Sequence, residues 1–169
     1  MLSTPRRIHL TVMFSDLTDS TYLGSLLDPE TYSDLLEKIR YDFEKIITYF
    51  GGQTIRIDGD GFIFIFANSG EGNGKLAVDA ALKMHEKIQS YTLPGSIPAN
   101  TLNLHTGIHA GRVLLKEGDL VLGKYEILGN ATNVAAKICD SAKAGEILIS
   151  EKALGRNNGL YRNLSLIHI

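Results

Sequence analysis

The chain has 169 residues, 44% hydrophobic and 21% charged, so its length fits one globular domain and its composition excludes general disorder. The net charge of −2 gives no basic excess that would point to nucleic acid or an anionic membrane as a partner. Cys139 is the only cysteine, which excludes an internal disulfide and fits a reducing compartment. The longest apolar runs are too short to span a bilayer. We therefore predict one cytoplasmic domain over residues 1–169, with neither membrane nor nucleic acid as partner.

The first half of the chain predicts a strand, a helix and a β-hairpin. Residues 8–17 are apolar and β-branched, which is typical of a strand. A helix is predicted from Asp28, its N-cap, to the glycines at 51–52, because apolar residues between them recur at helical spacing. Residues 53–58 and 62–67 predict two strands that are joined by a tight Gly-Asp-Gly turn.

The second half predicts two helices and four strands. One helix covers residues 76–88, and the other begins with Asn130 as its N-cap and ends at Gly145. The strands are predicted at residues 102–115, 120–128, 146–150 and 160–169, the second being either a continuation or a partner of the first. The order β-α-β-β-α-β followed by β-α-β predicts an α+β fold. It has a ferredoxin-like βαββαβ core and an added C-terminal strand–helix–strand.

Two carboxylates occupy positions that a hydrophobic core does not require. Asp16 ends the first strand, and Asp60 lies at the tip of the hairpin. In a ferredoxin-like fold these elements are neighbours, so the two acids can converge at one end of the sheet. Converging acids repel each other unless a cation joins them, and oxygen ligands suit Mg²⁺ or Mn²⁺ held together with substrate phosphates. The alternative interpretation is that Asp60 is only a turn residue and Asp16 only a helix cap.

The segment that follows Asp16 is small and polar, and consists of Thr18, Asp19, Ser20 and Thr21. Exposed backbone N–H groups at such a strand-to-turn junction can bind phosphate. A capped turn has a similar composition, and Asp19 by itself also fits a solvated helix start.

Two histidines, His105 and His109, are spaced to share one face of a predicted strand. A metal site is one interpretation of the pair, but we favour core or interface histidines.

Three segments in the order 14–21 (FSDLTDST), 51–62 (GGQTIRIDGDGF) and 129–138 (GNATNVAAKI), the last followed by 144–150 (AGEILIS), form a specific combination. Together with residues 105–111 (HTGIHAG), they resemble the class III nucleotidyl cyclase homology domain, the catalytic fold of adenylyl and guanylyl cyclases. The resemblance covers roughly residues 8–154, which is nearly the whole chain.

The resemblance implies a head-to-tail homodimer with two active sites at its interface. One chain would hold two divalent cations, Mg²⁺ or Mn²⁺, through the carboxylates of Asp16 and Asp60 and the carbonyl of Leu17. The other chain would supply Asn133 for the ribose and Lys137, in place of the family's arginine, for the reacting phosphate. The 3′-hydroxyl of a nucleoside triphosphate would attack its α-phosphate and release pyrophosphate. A lysine at this position also fits a plain surface site on a helix.

The base-reading positions of the family match Arg56 and Glu126. Adenine-selective members use lysine with aspartate, and guanine-selective members use glutamate with a smaller polar residue. Arginine only donates and ionised glutamate only accepts, so hydrogen-bond polarity leaves adenine, cytosine and uracil open. Both side chains are longer than those of the adenine pair, which favours a one-ring base. Alternatively, Arg56 and Glu126 form a salt bridge with each other and provide no base selectivity.

The short chain and altered base pocket also resemble the pyrimidine cyclases of bacterial antiphage (Pycsar) systems. This resemblance implies that UTP is converted to cyclic UMP, which activates a separate cyclic-nucleotide-responsive effector. The leading hypothesis is therefore a homodimeric cyclase that uses UTP. The alternatives are a conventional adenylyl or guanylyl cyclase, and an inactive cyclase domain that serves as a nucleotide sensor or dimerisation module. The presence of both Asp16 and Asp60 argues against the inactive module.

Overall fold

Seven strands and five helices lie in the parts of the chain that the structure, a computed structural model, describes: residues 6–58, 61–67, 73–117, 125–155 and 165–167. The strands are β1 (Arg6–Thr18), β2 (Gln53–Asp58), β3 (Gly61–Ala67), β4 (Asn103–Glu117), β5 (Tyr125–Leu128), β6 (Ile147–Ser150) and β7 (Ser165–Ile167). The helices are α1 (Ser20–Leu26), α2 (Pro29–Tyr49), α3 (Asn73–Ile88), α4 (Asn130–Ser141) and α5 (Glu151–Leu154). A short 3₁₀ helix covers Ala99–Thr101. None of the described helices is long and apolar enough to cross a bilayer.

The strands form one sheet in the order β2-β3-β1-β4-β6-β7, with β5 paired to β4 outside this path. β1 lies at the centre and pairs antiparallel with both β3 and β4. β6 runs parallel to β4 and to β7, because α4 and α5 make the crossover connections. The predicted α+β fold is confirmed, with a ferredoxin-like core from β1 to β4 and the strand–helix–strand addition after it.

The two faces of the sheet are covered to different extents. On one face, α2 and α3 bury the main hydrophobic cluster, in which Phe43 and Met84 pack against Phe64 and Ile108. On the other face, α4 packs a smaller cluster that includes Ala135. Apolar side chains on this second face stay only partly buried: Ile8, Phe14, Ile55 and Ile63. The sheet therefore has one fully covered face and one that a single helix leaves partly open.

Glycines at 107 and 111 allow α4 to lie close against β4. A Cβ on Gly111 would lie 2.9 Å from the Cβ of Ala131, which is closer than two carbon atoms can approach without displacement. Both glycines occur on the α4 side of β4, since the strand alternates faces and they are four residues apart. Both glycines belong to residues 105–111, the segment that resembles a strand of the family, and they therefore allow α4 to pack closely against the sheet.

Several predicted boundaries were correct, and others were wrong. Asp28 caps α2 by accepting a hydrogen bond from the backbone N–H of Thr31, as predicted. Asn130 was predicted to cap α4, but Gly129 occupies the N-cap position and Asn130 is the first helical residue. The helix ends at Ser141 rather than at Gly145, because the chain becomes extended at 142 and Gly145 turns it into β6 with a φ of 78°.

Helix α1 was not predicted as an element, although Asp19 was interpreted as fitting a helix start and does occupy the N-cap of α1. Asp19 adopts a left-handed conformation with φ 54° and ψ 35°, which turns the chain directly from β1 into this helix. Leu23 is the residue of α1 that is buried, so one apolar contact holds a seven-residue helix with little periodic signal. The strand predicted over 120–128 is confirmed only as β5, and residues 118–124 lie outside the described parts.

Candidate active site

Asp16 lies near the end of the central strand and has a neighbour on each side. It pairs with Gly61 of β3 and with His105 of β4. Its side chain is 42% exposed even though the strand is internal. The following residue, Leu17, has a buried side chain, while Thr18 ends the strand. A partly accessible carboxylate thus stands at the rim of a sheet whose two faces bury mainly apolar side chains.

His105 reaches from β4 toward the same rim. Its Nδ1 lies 3.1 Å from the hydroxyl oxygen of Thr18, within hydrogen-bonding distance. Its Nε2 lies 3.9 Å from Oδ2 of Asp16, which is too long for a direct hydrogen bond. The imidazole, at 19% side-chain exposure, is therefore held by Thr18 and faces the carboxylate across a gap.

The predicted convergence of Asp16 with Asp60 rests on the β2–β3 hairpin. Asp58 pairs with Gly61, and Gly61 pairs in turn with Asp16. Asp60 directly precedes Gly61 in the chain but lies outside the described residues, so its contact with Asp16 stays a prediction. Within the described ranges no three His, Cys, Asp or Glu side chains form a cluster that could hold a metal ion.

The segment predicted to bind phosphate lies where β1 becomes α1. Asp19 is the N-cap of α1 but makes no side-chain capping bond, and its side chain is exposed. Ser20 and Thr21 form the start of the helix, where backbone N–H groups have no partner within the helix itself. Thr18, by contrast, belongs to the strand and contacts His105. The four residues are therefore split between a strand end and a helix start.

Asn133 and Lys137 lie on α4, one turn apart, and both are exposed. Their spacing puts them on one side of the helix, as predicted. Cys139, two residues further along α4, is buried, and its thiol lies 3.5 Å from the backbone carbonyl oxygen of His105. Burial raises the pKa of the Cys139 thiol to about 12, with a further contribution from the negative charge of Asp16. Helix α4 thus passes close to the strand ends that carry His105 and Asp16.

The two predicted base-reading residues are described only by their backbones. Arg56 pairs with Ile63 after a shift of register between Thr54 and Arg56 in β2. Glu126 pairs with Lys116 in the β4–β5 ladder. In the described sheet these residues therefore lie on strands that are not neighbours, β2 at one edge and β5 beside β4. Their side chains lie outside what the structure describes, so the base pocket stays a prediction.

A buried polar network, which the sequence did not reveal, lies beneath the rim on the opposite face of the sheet. The hydroxyl of Thr106 lies 2.8 Å from Ser15 Oγ and 2.8 Å from Nε2 of His85 on α3. Burial lowers the pKa of His85 to about 4, and the nearby His105 adds to this effect. Ser15 and Thr106 directly precede and follow Asp16 and His105 in the chain. The network therefore holds together β1 and β4, the strands that carry Asp16 and His105.

The two histidines of β4 do not form a joint metal site. Nδ1 of His109 lies 2.7 Å from the hydroxyl of Ser150, and both residues are buried. His109 is therefore the core histidine that we favoured, whereas His105 is partly exposed and lies beside Asp16.

Comparison with known proteins provides the family context. Residues 3–163 match the family model of the adenylate and guanylate cyclase catalytic domain. A receptor-type guanylate cyclase of Caenorhabditis elegans, gcy-5, is 27% identical over 147 residues, which are 85% of this chain and 13% of that protein. The chain therefore spans about an eighth of the length of the curated relatives it matches.

Solved structures show the same architecture. The monomeric guanylyl cyclase domain of the RhoGC fusion protein from the fungus Blastocladiella emersonii has a TM-score of 0.78 at 22% identity, covering 90% of this chain and 86% of that one. The adenylyl cyclase CyaB from P. aeruginosa has a TM-score of 0.74 at 26% identity, covering 90% of this chain and 81% of that one. The fold that presents Asp16 is thus shared with domains named guanylyl cyclase and adenylyl cyclase.

Proposed function

The chain belongs to the adenylate and guanylate cyclase catalytic domain family, and we propose that it converts a nucleoside triphosphate into a 3′,5′-cyclic nucleotide and pyrophosphate. The observation that carries this proposal is the half-exposed carboxylate of Asp16 at the rim of the central strand, with Oδ1 buried and Oδ2 facing His105, in register with Gly61 and His105.

The donor set fits a divalent cation. We assign the carboxylates of Asp16 and Asp60 and the backbone carbonyl of Leu17 as ligands, and the pairing of Asp16 with Gly61 supports this assignment. All three are hard oxygen donors, which Mg²⁺ and Mn²⁺ prefer. A bound cation would neutralise phosphate charge and make the ribose 3′-hydroxyl easier to deprotonate.

The remaining residues bind the substrate from two sides. The helix start at Asp19, Ser20 and Thr21, next to Thr18, offers backbone N–H groups to the terminal phosphates. Asn133 orients the ribose, and Lys137 places its ammonium against the charge that develops on the α-phosphate oxygens. Lysine supplies a point charge here, without the planar fork of an arginine.

The active form is a homodimer in this proposal, with Asp16 from one chain facing Asn133 and Lys137 from the other. The partly buried apolar side chains of Phe14, Ile55 and Ile63 support this assembly, because they lie on the sheet face that α4 leaves partly open. Such a face favours association with a second copy. Signalling through a separate effector in antiphage defence remains a further prediction, based on the resemblance alone.

UTP is the substrate that we propose first. Arg56 and Glu126 are both longer than the lysine and aspartate of adenine-selective members, so they leave less room for a two-ring base. GTP is the second candidate, because the relatives in the sequence comparison are named guanylate cyclases.

The test is product formation from each of the four ribonucleoside triphosphates with Mn²⁺. We expect one cyclic nucleotide to form, and we expect Asp16→Asn to abolish it while thermal stability stays within a few degrees of the wild type. Asp34→Asn, which alters an exposed aspartate on α2, is the matched control and should retain full activity. Absence of any cyclic product from a folded, dimeric wild type would favour the inactive module.

A further inference from the structure

We propose that His85 of α3 is a positioning residue for the cyclase reaction. It acts through the hydroxyls of Thr106 and Ser15 on the end of β1 that carries Asp16. The inference rests on the proposed function, because it assumes that Asp16 takes part in catalysis. It adds a residue from a helix that holds none of the site residues assigned above.

Two buried hydroxyls lie in a part of the sheet where the neighbouring buried side chains are apolar. Ser15 and Thr106 are direct partners in the register of β1 and β4, and they are only 1% and 0% exposed. The next partners on the same face are Met13 and Ile108, which belong to the main hydrophobic cluster. Burying a hydroxyl costs free energy unless it forms a hydrogen bond, and an apolar pair would fill this place without that cost. A fully bonded polar network, however, fixes one arrangement of the elements that it joins.

The hydrogen bonds of this network run in one direction, from the helix to the strand. Nε2 of His85 and Oγ of Ser15 each lie 2.8 Å from the hydroxyl oxygen of Thr106. Burial lowers the pKa of His85 to about 4 and so keeps the ring neutral, while the backbone of Gly145 raises the pKa, as a carbonyl that accepts a ring N–H does. We therefore assign the ring proton to Nδ1, so that Nε2 accepts from Thr106 and Thr106 accepts from Ser15. Each of the two hydroxyls then donates one hydrogen bond.

The last hydroxyl of this network lies one residue before Asp16. Neighbouring side chains of a strand point to opposite faces, so Ser15 is held on the helix side while Asp16 stands on the other side. The strand ends two residues after Asp16, at Thr18, and strand ends open more readily than strand centres. The hydrogen bond at Ser15 thus restrains β1 just before its backbone ladder ends. Such a restraint matters for turnover, because a displacement of about 1 Å at a reacting group can lower a rate by about 10².

The same residues also connect β4 to the segment that follows α4. The N–H of Thr106 donates to the carbonyl of Glu146 at 3.0 Å, and the N–H of Gly145 donates to the carbonyl of Leu104 at 2.7 Å. His85 lines the same surface cavity as Gly145 and Glu146. Its imidazole therefore lies where α3, β4 and this segment meet. An apolar side chain could fill this junction but could not accept the hydrogen bond from Thr106.

The test compares side chains that fill similar space with and without the hydrogen bond. Thr106→Val replaces the hydroxyl by a methyl group, and His85→Leu removes the acceptor. We expect each to lower kcat by about tenfold or more and to change KM for the nucleoside triphosphate by less than about twofold. Thr106→Ser keeps the hydroxyl, and His85→Gln keeps an oxygen that can accept from it. Both should retain at least about a third of the wild-type kcat.

Thr11→Val is the matched control for a loss of stability alone. Thr11 is buried on the same strand and face as Ser15, about 13 Å away along β1. Thr11→Val should lose stability in urea denaturation as Thr106→Val does, and keep the wild-type kcat. The affinity for Mn²⁺ without nucleotide, measured from the paramagnetic resonance of free Mn²⁺, is a readout that does not depend on turnover. It should fall by about tenfold in Thr106→Val and stay unchanged in Thr11→Val.

A double variant shows whether the two residues act as one unit. If His85 acts through Thr106, the combination of His85→Leu with Thr106→Val should lose no more kcat than the worse single variant, because the interaction is already broken. Losses that multiply would mean that His85 acts independently of Thr106, and they would overturn the inference.

The outcomes separate this inference from the proposed function. A folded Thr106→Val protein with wild-type kcat and Mn²⁺ affinity overturns the positioning role and leaves the cyclase assignment intact. If the wild type forms no cyclic nucleotide from any ribonucleoside triphosphate, the proposed function is wrong and this inference is overturned with it. Circular dichroism checks the fold of each variant. If Thr106→Val does not fold, the comparison of His85→Leu with His85→Gln decides the question, and equal kcat in these two variants overturns the inference.

Discussion

The backbone of Gly107 in β4 touches the backbone of Cys139 in α4, with no room for a side chain between them. A Cβ on Gly107 would clash with the backbone nitrogen of Cys139 and lie 2.6 Å from the carbonyl oxygen of Ala135. The contact matters for the site because α4 carries Asn133 and Lys137 on its exposed side.

Gly107→Ala should therefore displace α4 and destabilise the protein by about 1–3 kcal/mol, since overpacking forces the backbone apart. Urea denaturation measures this loss, and cyclase activity should fall with it. The control is Gly24→Ala in α1, where the new Cβ would lie 3.7 Å from the Tyr32 ring in ordinary contact. We expect Gly24→Ala to be neutral or to stabilise by up to about 1 kcal/mol. Equal stability of the two variants would refute the close-packing argument.

His85 makes the stability of the fold dependent on pH. Its pKa is about 4 in the folded chain, against 6.5 for an unperturbed histidine. Well above pH 6.5 the His85 side chain is neutral in both the folded and the unfolded chain, so its ionisation does not change the free energy of unfolding. As the pH falls from 6.5 toward 4, the unfolded chain gains a proton that the folded chain rejects, so stability decreases, and below pH 4 the loss is complete.

Between pH 7 and pH 5 the loss from this group should amount to about 2 kcal/mol. We expect urea denaturation of His85→Gln to show a pH dependence shallower by that amount than the wild type. His109, whose pKa burial also lowers, is present in both proteins, so its contribution cancels in the comparison. Identical pH slopes for the wild type and His85→Gln would show that His85 is not held neutral.

Much of this architecture could be predicted because its signals are local. Asp28 and Thr31 form a cap within one turn, and the apolar spacing of α2 extends over six turns. For helix α1 only the start at Asp19 was indicated; its length and path could not be predicted, because they depend on the left-handed backbone of Asp19 and on the burial of Leu23. The sequence motifs identified Asp16, but the position of His105 beside it follows only from the register of β1 and β4.

Lys137 is expected to contribute to turnover more than to binding. Lys137→Ala should lower kcat by about 10²–10³ with little change in KM, because the ammonium stabilises charge that develops in the transition state. Lys137→Arg keeps the charge and should retain most of the activity. Lys83→Ala, on an exposed side of α3 where the lysine pairs with Glu86, is the control for loss of a surface cation. If Lys137→Ala has wild-type kcat, the lysine is a plain surface residue.

Shared active sites predict recovery of activity by mixing. Asp16→Ala and Asn133→Ala should each be inactive alone, because each damages both sites of its own homodimer. In a mixed dimer one site carries both substitutions and the other carries neither, so a fully exchanged equal mixture should reach about a quarter of wild-type activity. The activity of the mixture and subunit exchange by fluorescence transfer are measured together. Exchange without recovery would mean that each site is built from a single chain.

The substrate base depends on the lengths of Arg56 and Glu126. If these side chains narrow the pocket, kcat/KM should be higher for UTP or CTP than for ATP and GTP. Shortening both, with Arg56→Lys and Glu126→Asp, widens the pocket and restores the donor and acceptor of adenine-selective members. The preference for ATP over the pyrimidine nucleotide should then rise by more than about tenfold, because mismatched buried polar contacts typically cost a few kcal/mol and about 1.4 kcal/mol corresponds to a factor of ten. The measurement is kcat/KM for all four nucleotides in both proteins. A wild type that prefers GTP or ATP would overturn the pyrimidine proposal and leave the cyclase assignment intact.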